Sequence, residues 1–326
     1  MSPALEFLRR AGLTRPGESP EVEALAGGVS SEIWRVALAG GPVCVKRALA
    51  RLRVAQTWEA PVERNRYERL WMEKAAQAVP GAAPRVLAAE DGIFAMEYLD
   101  PAAYLLWKEE LRRGRADAAF AARVGSALAA IHAASTGPEI AKLFPTDAIF
   151  HAIRLEPYLV FTGSRHPDLS PRLNALSERT ARTKRCLVHG DVSPKNILVG
   201  PRGPVFLDAE CAWYGDPAFD IAFCLNHLLL KCVWVPEARD RFLACFDALA
   251  HAYLSGVAWE RPAELEARTA SLLPGLLLAR VDGKSPVEYL TNEADKGRVR
   301  EFARGFVARP PEKLSVIREA WQRSST

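Results

Sequence analysis

The sequence predicts an α+β chain of two lobes, a β-rich N-lobe with one helix followed by a mainly helical C-lobe. Three observations carry that reading. Short runs of β-branched and aromatic residues alternate with glycine turns as far as Leu99, helical periodicity takes over at Phe120, and a hairpin of apolar strands interrupts the helical part before Asp208. The length of 326 residues also exceeds one ordinary core. Asp100-Pro101 marks the expected break, which divides the chain into 1–98 and 99–326.

Each element follows from local pattern. Ala24 to Ser31 is a turn of small residues, Ile33 to Leu38 has strand character, and Gly40-Gly41 makes a second turn. Val43 to Lys46 is the next strand, and alternation turns Lys46 away from the face of Val45. Glu63 to Ala78 reads as a helix, because Tyr67, Trp71 and Ala75 share one stripe with Glu68 beside it. Val79 to Pro84 ends that helix, and strands follow from Arg85 and from Gly92 to Leu99. Phe120, Val124, Leu128 and Ile131 mark a core-facing helix ending near His132, a packed or capping histidine. Asp216 before Pro217 is an N-cap with proline at the first helical position, and that helix runs on through Leu228. Asp220, in its first turn, either complements the helix dipole or braces the preceding loop.

Composition excludes several classes. Hydrophobic content of 49% and charged content of 25% suit a soluble globular enzyme. The net charge of +4 is spread along the chain, and no basic run interleaves with aromatics, so no nucleic-acid partner is expected. The six cysteines form no C-x-x-C pair and sit in apolar runs, which favours buried reduced thiols over zinc or disulfides. The N-terminus has no apolar core of signal-peptide length. His227 and Lys231 interrupt the apolar Leu225–Val235, which is too short to span a bilayer. No membrane partner and a cytoplasmic location are therefore expected; the assembly state is open, a homodimer being one option.

The chemistry concentrates between Leu187 and Asp220. His189-Gly190-Asp191 is followed five residues later by Asn196, and a strand returns to end at Asp208. That is the spacing of a loop in which the aspartate receives the acceptor hydroxyl's proton and the asparagine holds magnesium. The hairpin brings Asp208 back beside Asn196, so two oxygen-bearing side chains converge on one ion. A His-Gly-Asp tripeptide alone occurs in ordinary turns, and a strand-ending aspartate is usually a turn former. The combination with Gly215-Asp216-Pro217 and Asp220 resists that reading. Upstream, Gly27, Gly28 and Ser30 form a turn whose backbone N–H groups can approach phosphates, although a plain hairpin turn explains the glycines as well. Lys46 is placed to reach phosphate oxygens, with Glu68 chosen to orient it ahead of Glu63 and Glu73. An adenine would bond the extended backbone of Glu97, Tyr98 and Leu99. Trp58, Trp213, Tyr214 and Arg280 are candidates to line an acceptor pocket, against the general tendency of buried aromatics to be core.

His189-Gly190-Asp191, Asn196, Asp208 and Gly215-Asp216-Pro217 with Asp220 resemble the aminoglycoside phosphotransferase and choline kinase superfamily, whose fold is protein-kinase-like. The resemblance covers roughly Leu25 to Lys231. A narrower likeness, to 5-methylthioribose kinase, runs through Val45–Leu49, Trp58, Glu63-Arg64, Tyr67-Glu68, Tyr98–Pro101, Ala212–Gly215 and Phe219–Ile221. The superfamily implies ATP and Mg2+ as cofactors, and transfer of the γ-phosphoryl group to a hydroxyl of a small polar molecule. The narrower likeness implies a sugar-like acceptor, uncharged or weakly charged, and makes Glu210 a further metal carboxylate. The loop Val192–Lys195 departs from that family's pattern, and Arg280 stands alone where the family has paired arginines. An aminoglycoside acceptor is the alternative, and it would call for a strongly acidic site. A nucleotide-binding protein without catalysis is the second alternative, opposed by the intact Lys46, Asp191, Asn196 and Asp208.

Overall fold

The computed structural model describes residues 2–25, 31–49 and 61–324. Its first part is a five-stranded antiparallel sheet in the order β1-β2-β3-β5-β4. The strands are β1 (Val22–Ala24), β2 (Ser31–Leu38), β3 (Gly41–Ala48), β4 (Val86–Glu90) and β5 (Ile93–Glu97). In the centre, Lys46 of β3 lies between Ile33 of β2 and Phe94 of β5.

Two helices flank this sheet, where the sequence suggested one. Pro3–Arg10 covers one face and packs Ala4, Phe7 and Leu8 against Val36, Val43, Val45 and Ala95. At 8 residues it is too short for its apolar spacing to stand out from a surface segment. The expected helix spans Arg64–Ala78 and buries Trp71, Met72 and Ala75. These residues join the main core, where the Trp71 ring meets His189 edge-on with centroids 4.6 Å apart. The helix thereby links the sheet to the later hairpin.

The remainder is mainly helical, with short strand pairs inserted. Cys186–Val188 (β7) pairs with Trp213–Gly215 (β10), while the hairpin of Ile197–Gly200 (β8) and Gly203–Phe206 (β9) also takes Leu105–Leu106 (β6) on its edge. A backbone bond from Phe206 N–H to the Ala82 carbonyl, 2.8 Å, ties β9 to the turn after the Arg64–Ala78 helix. Helix Ala218–Trp234 is buried without a break from Ala218 to Cys232, which accounts for its all-round apolar sequence. Proline 217 stands just before the helix, which starts one residue later than expected, and Asp216 Oδ1 accepts from its first N–H, that of Ala218, at 3.1 Å. All six cysteines are buried and free. Among the described residues no helix is long and apolar enough to cross a membrane.

Helices Ala118–Ala134 and Arg239–Ser255 lie against each other because Gly125 lets their backbones approach. A Cβ at Gly125 would stand 2.4 Å from the Leu249 carbonyl oxygen and 3.1 Å from Tyr253 N. A backbone obstacle cannot swing aside as a side chain can. Gly125→Ala should therefore cost about 1–3 kcal/mol, the usual penalty of overpacking. A lowered urea midpoint at unchanged m-value is the expected result; a midpoint equal to the parent's would show that the helices part freely.

Candidate active site

Strand alternation sends Val45 into the core beneath the Pro3–Arg10 helix and Lys46 to the opposite face. There the Lys46 ammonium, 3% exposed, meets three carboxylates: Glu68 at 2.8 Å, Asp208 at 2.6 Å and Glu210 at 3.0 Å. Burial alone would pull the lysine pKa down, but these anions raise it well above its usual value. Burial likewise pushes Glu68 up to about 8 against the pull of Lys46, with Glu210 and Asp208 adding to the rise. The structure thus selects Glu68 from the three glutamates of its helix as the partner of Lys46.

Glu210 is held from two further sides. Ser31 Oγ donates to it at 2.7 Å and Arg64 Nε at 2.9 Å. Arg64 also donates to the Leu49 and Pro61 carbonyls, both of which precede its helix in the chain. Asp208 follows β9 with φ of 66°, the only positive φ outside glycine among the described residues. Such a conformation is costly for a residue with a Cβ, and it persists only where surrounding contacts impose it. Here those are the Lys46 ion pair and the bond from Leu207 N–H to the Asn196 carbonyl, 2.9 Å.

The Asp191 loop is built from below by Asp220. Its carboxylate accepts from both His189 N–H and Gly190 N–H at 2.8 Å, so of the two roles open to Asp220 the structure gives it the brace. His132 packs beneath, Nε2 at 3.3 Å from Asp220 and Nδ1 at 2.8 Å from the Tyr253 hydroxyl, a packed histidine as expected. Gly190 has φ of 80°, and a Cβ there would stand 2.7 Å from the Cys211 carbonyl oxygen. His189 Nδ1 accepts from Asp191 N–H at 3.1 Å, which assigns the proton to Nε2, 3.0 Å from the Leu207 carbonyl. Asn196 Nδ2 donates to the Asp191 carbonyl at 3.0 Å, and its amide oxygen is not engaged in that bond.

Two cations grip the Asp191 carboxylate: Arg154 Nη2 at 3.0 Å and Lys195 Nζ at 3.3 Å. Burial raises the Asp191 pKa, but Lys195 and Arg154 outweigh it and hold the group well below the ordinary carboxylate range. Arg154 comes from the π-helical segment His151–Val160, whose wide turns are frequent at functional sites. Sequence reasoning missed Arg154, which no motif marks, and gave no role to Ser31, Arg64 or Lys195. Only Lys195 offered a signal, four residues after Asp191 on the same loop.

The other expected residues fall into four groups. Gly27, Gly28, Ser30 and Trp58 lie outside the described residues. Glu97, Tyr98 and Leu99 stand at the end of β5 and in the extended link beyond it. The Glu97 carboxylate accepts from Arg85 N–H at 2.9 Å, and the Tyr98 ring lies under the Arg35 guanidinium. Trp213 and Tyr214 are corrections. One face of the Trp213 ring stacks on Phe150 with centroids 4.1 Å apart, Lys184 Nζ lies 4.1 Å from its centroid, and its Nε1 donates to Asp147. The Tyr214 hydroxyl accepts from Gly137 N–H and donates to the Arg185 carbonyl. Trp213 is buried in the helical core, whereas Tyr214, its neighbour on the opposite face of β10, is half-buried with its hydroxyl spent on backbone partners. Arg280, in contrast, lines a small pocket with Lys195.

The donor set suits a hard divalent cation. Oxygen atoms of Glu68, Asp208 and Glu210 lie within 4.8 Å of one another, and the neighbouring Asn196 adds a carboxamide. Of the three carboxylates, Asp208 has the most exposed side chain, at 37%.

Asp220→Asn leaves one of two buried N–H donors facing an amide NH2. It should cost about 1–3 kcal/mol, the penalty for an unsatisfied buried donor. Chemical denaturation should show this as a lower midpoint, and an unchanged midpoint would mean the loop is braced by other contacts.

The sequence profile of the phosphotransferase enzyme family matches residues 21–265. No curated protein sequence matches the chain. Solved structures that resemble it include a choline/ethanolamine kinase family protein from Mesorhizobium loti, 17% identical over 98% of this chain and 99% of that one, with a TM-score of 0.55. A putative fructosamine-3-kinase from Thermobifida fusca is 22% identical over 92% of this chain and 98% of that one, with a TM-score of 0.51. An amicoumacin kinase in complex with AMP-PNP and Ca2+ is 14% identical over 96% of each chain, with a TM-score of 0.57. These likenesses share the protein-kinase-like fold, and the profile match over most of the length supplies the lineage: the chain belongs to the phosphotransferase enzyme family.

Proposed function

We propose that the protein transfers the γ-phosphoryl group of ATP to a hydroxyl of a small, sugar-like molecule. The observation that carries this reading is the Lys46 ammonium, held between Glu68 at 2.8 Å and Asp208 at 2.6 Å, so that strand, helix and hairpin end converge in one place. In this reading residues 1–98 bind the nucleotide and 99–326 supply Asp191 and the acceptor site. The extended Glu97–Leu99 backbone receives the adenine. The Gly27, Gly28 and Ser30 turn approaches the phosphates, and Lys46, oriented by Glu68, neutralises their charge.

Asp208 and the Asn196 amide oxygen would hold magnesium, with Glu210 a supporting carboxylate already engaged by Arg64 and Ser31. A bound magnesium ion supplies positive charge against the phosphate oxygens. Asp191, kept ionised by Lys195 and Arg154, orients the acceptor hydroxyl and takes its proton. So acidic a carboxylate is a weak base. A loose transition state needs little proton abstraction, so alignment and charge neutralisation provide most of the acceleration. The sugar-like acceptor rests on the likeness to 5-methylthioribose kinase and on the position of Arg280 beside Lys195.

Two substitutions test these roles. Asp191→Asn should leave ATP affinity intact and lower kcat by about two orders of magnitude or more, the usual weight of a positioned base. Turnover like the parent's would remove Asp191 from the chemistry. Asp208→Ala should abolish the tightening of ATP binding by Mg2+, because the site loses a charged oxygen ligand. Equal Mg-ATP affinity in both proteins, read by calorimetry, would move the metal elsewhere.

A further inference from the structure

Beside Asp191 lies a small pocket of about 20 Å³ whose wall is dominated by positive groups. Lys195 belongs both to this pocket and to the Asp191 ion pair, so the two sites are one side chain apart. Helix Ala218–Trp234 contributes His227 and Lys231, one turn apart on the same face, and helix Pro262–Asp282 contributes Arg280. Lys108 enters from helix Trp107–Arg112, paired with Glu288, the pocket's one carboxylate.

The charges do not balance. Lys108 is matched by Glu288, and Lys195 by Asp191. Lys231 is 1% exposed, and the described residues give it no carboxylate; its ammonium sits between the rings of Tyr289 at 3.7 Å and Trp234 at 4.0 Å. Arg280 is 7% exposed and spends Nη1 on the Tyr158 hydroxyl and on Ser285, while its Nε has no partner. His227, 5% exposed, also has an unpartnered Nε2, its other nitrogen being 3.4 Å from the Tyr289 hydroxyl. Buried cations and buried orphan donors are both costly, and one ligand chemistry relieves both. Burial and the neighbouring Lys108 lower the Lys231 pKa despite Glu288, the direction expected of an ammonium without a close counter-anion, and a bound anion would raise it again.

We infer that the acceptor carries an anionic group, a carboxylate or a phosphate, and that Lys195, His227, Lys231 and Arg280 receive it beside Asp191; this rests on the phosphotransfer reading of Asp191. An uncharged sugar alcohol, the expectation from sequence, leaves Lys231 and Arg280 unneutralised. A polycationic aminoglycoside is repelled by them. At about 20 Å³ the pocket has room for little more than one water-sized group, so it takes the oxygens of an anionic substituent and excludes a ring scaffold.

The test offers the protein Mg-ATP with hydroxyl acceptors in matched charge classes: hydroxy acids, sugar phosphates, neutral sugars and polyols, and amino alcohols with aminoglycosides. ADP release is the readout. Turnover should fall in the anionic classes, their order separating carboxylate from phosphate. Lys231→Met should raise the acceptor's KM about tenfold or more, with the KM of ATP unchanged, as expected when a buried charge partner is lost. Preference for neutral or cationic acceptors, or a silent Lys231→Met, overturns the inference. The charge preference of the parent needs no variant, so a poorly folding substitution does not spoil it. If no acceptor reacts, inorganic phosphate titrated into the ADP-saturated protein decides. Heat in the parent that Lys231→Met removes upholds the anion pocket, and the missing turnover then counts against the phosphotransfer reading alone. No heat, or equal heat in both proteins, overturns the pocket.

Discussion

One buried ammonium surrounded by three carboxylates organises this molecule. Lys46 reaches Glu68 from its own sheet's helix, and Asp208 and Glu210 from the hairpin region, so the strand-rich and helical parts meet around a single charge. Left alone in a low-dielectric interior, any of the four groups would be strongly unfavourable. Together they are tolerable only in one arrangement, because removing any partner strands the rest. That constraint explains why Arg64 and Ser31 are drawn in behind Glu210, and why Asp208 sits at a backbone angle that side chains avoid.

A second constraint acts on the Asp191 loop. Asp220 supplies two acceptor oxygens to two consecutive backbone donors, so the loop is fixed through its main chain and its side chains are left for other contacts. Arg154 and Lys195 then set the charge on Asp191, and Lys195 carries that influence into the neighbouring cationic pocket. The two clusters have opposite demands. Around Lys46 the excess is anionic and suits a cation; around Lys231 it is cationic and suits an anion. A phosphotransferase acting on a charged small molecule has use for both.

Short-range pattern was enough to read β3, the Arg64–Ala78 helix and the β8–β9 hairpin, because alternation and helical stripes are properties of neighbouring residues. It also brought Asn196 and Asp208 together, since a tight hairpin leaves few ways to place its ends. The Pro3–Arg10 helix escaped because its eight residues carry too few repeats, and the core it covers is formed by strands far along the chain.

By itself, then, the sequence determined the α+β lineage and the spacing of Asp191, Asn196 and Asp208, both written in contiguous segments. Only the tertiary structure made the contact between Lys46 and Glu68, the glutamate that sequence pattern preferred to Glu63 and Glu73, because packing settles which face of the helix docks. It decided that Trp213 stacks on Phe150 in the core and that the Tyr214 hydroxyl is spent on the Gly137 and Arg185 backbone, contacts with distant parts of the chain. It also brought Arg154, Lys231 and Arg280 from separate helices to the neighbourhood of Asp191. Contacts between residues so far apart depend on how whole helices pack, and no local pattern encodes that.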